Sequence, residues 1–171
     1  MYGFERKVKF TEIHRMFVNA KGDIRLDISS GEVFHCPSRT LTDAHFVLFA
    51  SVSCDTHPLH CDAEYAGRTR FGKPVAHGLL LASLTALGSS SGQGKAHGFV
   101  FVEQGCRYLK PAAVGDTVHP SLTVERLWEE DRRTFCRLST TVLNQHGEQL
   151  LEGFHLYRVL PHPTHLVSGD D

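Results

Sequence analysis

The stretch Gly78–Leu87, GLLLASLTAL, is apolar all round when wound as a helix, and a helix with no polar face has to be covered on every side. The sequence that follows has a different period. From His97 onward apolar and polar residues alternate, as half-buried strands require. The pattern predicts strands over 97–108, 117–127, 133–143 and 148–159, with Asn144-Gln145-His146-Gly147 as the turn between the last two. Pro120 falls within the second of these, which demands an edge or a bulge there. Antiparallel strands following one very apolar helix give an α+β fold with the sheet wrapped around the helix.

The first half is less regular. Residues 8–12 alternate like a short strand, Lys21-Gly22-Asp23 is a turn candidate, and Thr42-Asp43 starts a mainly apolar helix through Val52 that stops near Ser53. Asp62 is well suited to cap a short helix over 62–66. The run Gly88-Ser-Ser-Ser-Gly92-Gln-Gly94 reads as a flexible loop, and PHPTHLVSGDD (161–171) as a loose tail. No repeat or linker divides the chain, so one domain over 1–171 is expected.

Composition removes several classes of function. A net charge of −1 leaves no basic footprint for nucleic acid. The longest apolar stretch, Val75–Leu87, is broken by His77 and Gly78 and falls short of the ~20 residues that cross a bilayer. No apolar segment follows the charged N-terminus MYGFERKVKF, so no secretory signal is expected. Five cysteines without a CxxC pair read as reduced thiols of a cytoplasmic protein.

The chemistry is concentrated in residues 53–84. Asp55 leaves a helix, His60 follows five residues later, and Pro58 stiffens the connection by fixing φ. A carboxylate and an imidazole so arranged can hold one water and exchange its protons. His77-Gly78 then opens the apolar helix, where free backbone N–H groups can receive a developing oxyanion and glycine permits close approach. Singly, each feature has an ordinary explanation: an aspartate at a helix end is commonly a cap, and His-Gly before an apolar helix is commonly packing. His57, His60, Cys61 and Asp62 carry metal-ligand chemistry, but Pro58 and the adjacency of His60 and Cys61 spoil the usual ligand spacing, so no metal site is expected. Arg68, Arg70 and Lys73 read as solvated loop charges, with pairing to an anionic part of a substrate as the alternative.

Together, D-x-x-P-L-H-x-D-x-x-Y-A from Asp55 and F-G-x-P-V-A-H-G-L-L from Phe71 resemble the signature of the MaoC-like dehydratases, which include the (R)-specific enoyl-CoA hydratases. The likeness extends more weakly over about 40–160. It implies a hotdog fold, an antiparallel sheet around a long central helix here given by Gly78–Leu87. It implies a homodimer or dimer-based hexamer, and reversible addition of water to a trans-2-enoyl thioester to give a 3-hydroxyacyl thioester. The family's roles map onto Asp55 and His60 for the catalytic water and the Gly78 amide for the thioester carbonyl. By the same resemblance His57, Pro58, Phe71 and His77 are expected to be substrate-binding positions. The substrate is an acyl-CoA or acyl-carrier thioester; no cofactor is implied beyond the coenzyme A that the substrate carries.

The chain departs from the family's Ser-Gly-Asp-x-Asn-Pro at two points, Cys54 and His57. Hotdog thioesterases and non-catalytic acyl-binding proteins are the competing classes. The retained Asp55, His60 and Gly78 favour the hydratase over both.

Overall fold

The structure, a computed structural model, describes residues 28–96 and 98–160. The expected strand at 8–12, the turn at 21–23 and the tail at 161–171 lie outside the described residues.

Short strands β1 (Val33–His35) and β2 (Arg39–Thr40) precede three helices in the site region: α1 (Asp43–Ser53), α2 (Pro58–Cys61) and α3 (Ala63–Gly67). Helix α4 (Gly78–Ser83) follows, then the long strands β3 (Phe99–Tyr108), β4 (Thr117–Glu130), β5 (Arg133–Asn144) and β6 (Gln149–Val159). The sheet order is β1-β4-β5-β6-β3, with β2 also on β4, and every pairing is antiparallel.

The alternation expected from the sequence sets which face is covered. Val118, Leu122 and Val124 of β4, Leu138 and Val142 of β5, and Tyr157 and Val159 of β6 are buried. One cluster packs Leu80, Leu81 and Ala82 of α4 with Phe46 of α1 onto Val118, Val142, Leu150 and Leu151 of the sheet. Such side chains contribute ~1.5–3 kcal/mol each when fully buried, so α4 is anchored chiefly by these contacts. Pro120 is tolerated because β1 has ended at the partner of Ser121 and β2 begins at that of Val118. In that gap no ladder N–H is needed from it, and its carbonyl accepts from the Cys36 N–H at 3.0 Å.

Two expectations are corrected. The central helix is shorter than Gly78–Leu87 and is not covered on all sides: Leu79 is 68% exposed. Hydroxyls explain the early end. Ser83 Oγ donates to the Leu80 carbonyl and Thr85 Oγ1 to that of Ala82, both at 2.7 Å, and the chain turns extended at Ala86. The glycine-serine run after it is also built into the fold. Ser91 exchanges two hydrogen bonds with the backbone of His35, and a Cβ on Gly92 would come within 2.6 Å of the Phe34 ring.

The β5–β6 turn is as read, with Gly147 at φ 75° and Asn144 Oδ1 accepting from the His146 and Glu148 amides. The β4–β5 turn carries no glycine, yet Asp131 and Arg132 both take positive φ. Paired positive φ suits the twist of a two-residue hairpin.

Thr85 also joins a buried polar chain. With its hydroxyl hydrogen on Ala82, it accepts from His155 Nε2 at 3.2 Å, and His155 Nδ1 then accepts from the Tyr157 hydroxyl at 3.2 Å. Burial drives the His155 imidazole down to about 4. In the unfolded chain the ring titrates near 6.5, so between these values the unfolded state binds the extra proton. The stabilisation is therefore complete above pH 6.5, falls as pH drops, and levels off below about 4. We expect urea midpoints to report a loss of roughly 2–3 kcal/mol from this residue between pH 7 and 4. That loss should be absent when His155→Gln is compared over the same range.

Candidate active site

Helix α1 ends where Cys54 adopts the left-handed conformation at φ 60°, which turns the chain sharply and sets Asp55 on an irregular segment. Asp55 is exposed and locally braced: its amide donates to Ser53 Oγ at 3.2 Å, and its Oδ1 accepts from the His57 amide at 3.3 Å. Pro58 takes the first position of α2, where its missing N–H is harmless. His57 caps that helix, its Nδ1 accepting from the Leu59 amide at 3.2 Å. Both residues shape the turn that delivers His60.

His60 is half-buried and oriented by a second segment. Its Nδ1 donates to the Val75 carbonyl at 2.7 Å, and the Val75 amide donates back to the Leu59 carbonyl at 3.3 Å. A carbonyl can only accept, so the proton sits on Nδ1 and the Nε2 lone pair is free to take a hydrogen bond from water. Asp55, His60 and His77 offer ligand-type atoms all within 4.8 Å of one another. The His60 and His77 rings are stacked, 3.8 Å between centroids and inclined by 26°. Stacked rings direct their in-plane lone pairs side by side, not at a common point. The trio therefore suits a water between Asp55 and His60 better than a metal ligated by both imidazoles.

Next to this trio lies a cavity of about 350 Å³ lined by Arg70, Phe71, Gly78, Leu81, Tyr108 and Lys110 among others. Of the expected site residues, Phe71 and Gly78 line it. Asp55, His57, Pro58, His60 and His77 do not; the His77–Gly78 peptide is the joint between the two groups. Gly78 opens α4, where its amide has no acceptor one turn back. The close approach that glycine permits is made by Tyr108, whose Cζ would be 2.9 Å from an added Cβ. Desolvation, with a hydrogen bond to Cys106, pushes the Tyr108 phenol up to about 12, so it remains a neutral hydroxyl.

Tyr108 and Lys110 were not legible as site residues, since the sequence pattern assigns Tyr108 to the end of a strand and Lys110 to the break that follows it. Of the three loop cations, Arg68 pairs with Glu64 and Lys73 donates to the Val114 carbonyl at 3.2 Å. Only Arg70, lying 4.9 Å over the Phe71 ring, faces the cavity.

Known proteins resemble this chain in sequence and in fold. The MaoC like domain matches residues 28–146. The chain is 32% identical over 118 residues to an (R)-specific enoyl-CoA hydratase of Rhodospirillum rubrum, covering 68% of this chain and 78% of the relative. To the enzyme of the same name from Aeromonas caviae it is 33% identical over 116 residues, covering 68% and 84%. Among solved structures, the (R)-hydratase of A. caviae superposes with a TM-score of 0.70 at 29% identity, over 78% of this chain and 98% of that one. A MaoC-like dehydratase of R. rubrum gives 0.70 at 26%, over 80% and 96%.

Cys54 stands in a backbone conformation that costs an L-residue about 1–2 kcal/mol and glycine almost nothing. The more flexible unfolded chain offsets part of that gain. We expect Cys54→Gly to stabilise the protein by about 0.5–1 kcal/mol, seen as a rise of about 1–3 °C in Tm by calorimetry.

Proposed function

This chain belongs to the MaoC-like dehydratase family and has its hotdog fold, and we propose that it hydrates trans-2-enoyl-CoA thioesters reversibly to (R)-3-hydroxyacyl-CoA. The observation that carries this reading is the close approach of the Asp55 carboxylate to His60 beside the free amide of Gly78.

The thioester carbonyl oxygen accepts a hydrogen bond from the Gly78 N–H, which draws electron density from the β-carbon. A water held by Asp55 and His60 Nε2 attacks that carbon. Its O–H bond breaks, the hydroxyl adds to the β-carbon, and the proton passes to the Asp55–His60 pair. The α-carbon takes a proton back from the same pair, so the site returns to its starting state. Run backwards, these steps dehydrate the 3-hydroxyacyl thioester. This scheme calls on no cofactor besides the coenzyme A of the substrate. Phe71 lines the cavity that receives the thioester, and His57 and Pro58 act through the turn that holds His60.

The active unit in this reading is a homodimer. Strand β3 lies at the edge of the sheet with Val100, Phe101 and Val102 about half exposed, a long apolar edge of the kind that pairs with another chain. Leu48 and Val52 of α1 and Leu79 of α4 add to the uncovered apolar surface. No helix among the described residues is long and apolar enough to cross a membrane. The five unpaired cysteines suit a reducing cytoplasm.

Loss of absorbance of the conjugated double bond of crotonyl-CoA, followed by chiral analysis of the product, tests the reaction. We expect wild-type turnover, and losses of at least 10²-fold in kcat for Asp55→Asn and for His60→Ala with folding intact by circular dichroism. Near-normal rates in either variant would overturn its role.

A further inference from the structure

We propose that His77 is a positioning residue that holds both members of the water-binding pair, and not a group that touches the acyl chain. The inference rests on the hydration reading above. His77 is 2% exposed, so it has almost no surface to offer a substrate. Its Nε2 lies 2.9 Å from the backbone carbonyl of Asp55, which can only accept. The ring therefore carries its proton on Nε2, leaving Nδ1 bare, and Nδ1 is buried without a hydrogen-bond partner.

The two ties that His77 makes are the ones the site lacks elsewhere. Asp55 sits between a left-handed residue and a turn. Its other hydrogen bonds, to Ser53 and His57, stay within that same short segment. Among the described residues the His77 bond alone fastens Asp55 to a distant part of the chain, the start of α4. For His60, the Val75 carbonyl fixes the ring at one edge atom but leaves rotation about that bond free to tilt the plane. The stacked His77 ring blocks that tilt by covering one face.

His77 is itself wedged by Phe49 (centroids 5.1 Å) and by Phe46 edge-on (6.5 Å), so its position is set by the α1 core. Because the next residue is Gly78, one element also fixes the distance between water and oxyanion donor. Misplacing reacting groups by about an ångström can cost ~10²-fold in rate without weakening binding.

Two substitutions separate the ties. His77→Phe keeps a ring under His60 and removes the donor to Asp55; His77→Gln keeps an N–H near the position of Nε2 and removes the ring. With crotonyl-CoA we expect kcat to fall at least 30-fold for His77→Phe, with KM within about threefold of wild type. The Gln variant should regain a substantial part of that loss. In an Asp55→Asn background the Phe substitution should cost less than about threefold more, since the group it positions is already disabled.

A rise in KM at unchanged kcat would make His77 a substrate-binding residue and overturn the proposal. So would a wild-type kcat in both variants, or a Phe effect that adds fully to Asp55→Asn. Thermal melts by circular dichroism on all variants separate these results from unfolding. Wild-type protein that turns over no enoyl thioester would instead overturn the hydratase reading itself.

Discussion

The short segment Val75–Ala76 is what the site depends on. Val75 exchanges two hydrogen bonds with the α2 region, one to the Leu59 backbone and one to the His60 ring. Ala76 donates to the Ala112 carbonyl at 2.7 Å, and Val75 bridges to Ala113 at the entrance to β4. Two buried residues thus connect the irregular segment carrying Asp55 and His60 to the sheet. Unpaired backbone groups at such buried positions would each cost about 1–3 kcal/mol, which keeps the strap in register. The next two residues are His77 and Gly78, so the same run that orients the water-binding imidazole also delivers the oxyanion donor.

Much of this was legible in the sequence where a single physical rule dominates. Period-two alternation located the four long strands to within a few residues because one sheet face is covered by apolar packing. Asp62 was readable as a cap, and its Oδ1 does accept from the Glu64 and Tyr65 amides. The motif brought Asp55, His60 and Gly78 forward together, and the fold brings ligand atoms of the first two within 4.8 Å of each other.

What was not legible depends on contacts between distant segments. Nothing local announces that Thr85 will answer a histidine seventy residues later, and that contact accompanies the premature end of α4. Tyr108 enters the site only because β3 passes over the start of α4, a relation that strand periodicity does not contain. His77 was expected at the substrate from the motif alone, and burial, which a motif does not contain, leaves it 2% exposed and off the cavity lining. The glycine-serine run misled for the same reason, since composition says what a segment can do alone and Phe34 and His35 decide what it does here.

The contact between the Tyr108 ring and Gly78 couples two positions far apart in the chain. A side chain added at 78 would meet the ring at 2.9 Å and force it to shift, so each position limits what the other can hold. The wall formed by these two residues is therefore the least adjustable part of the cavity, and its shape is more easily altered at the other lining residues.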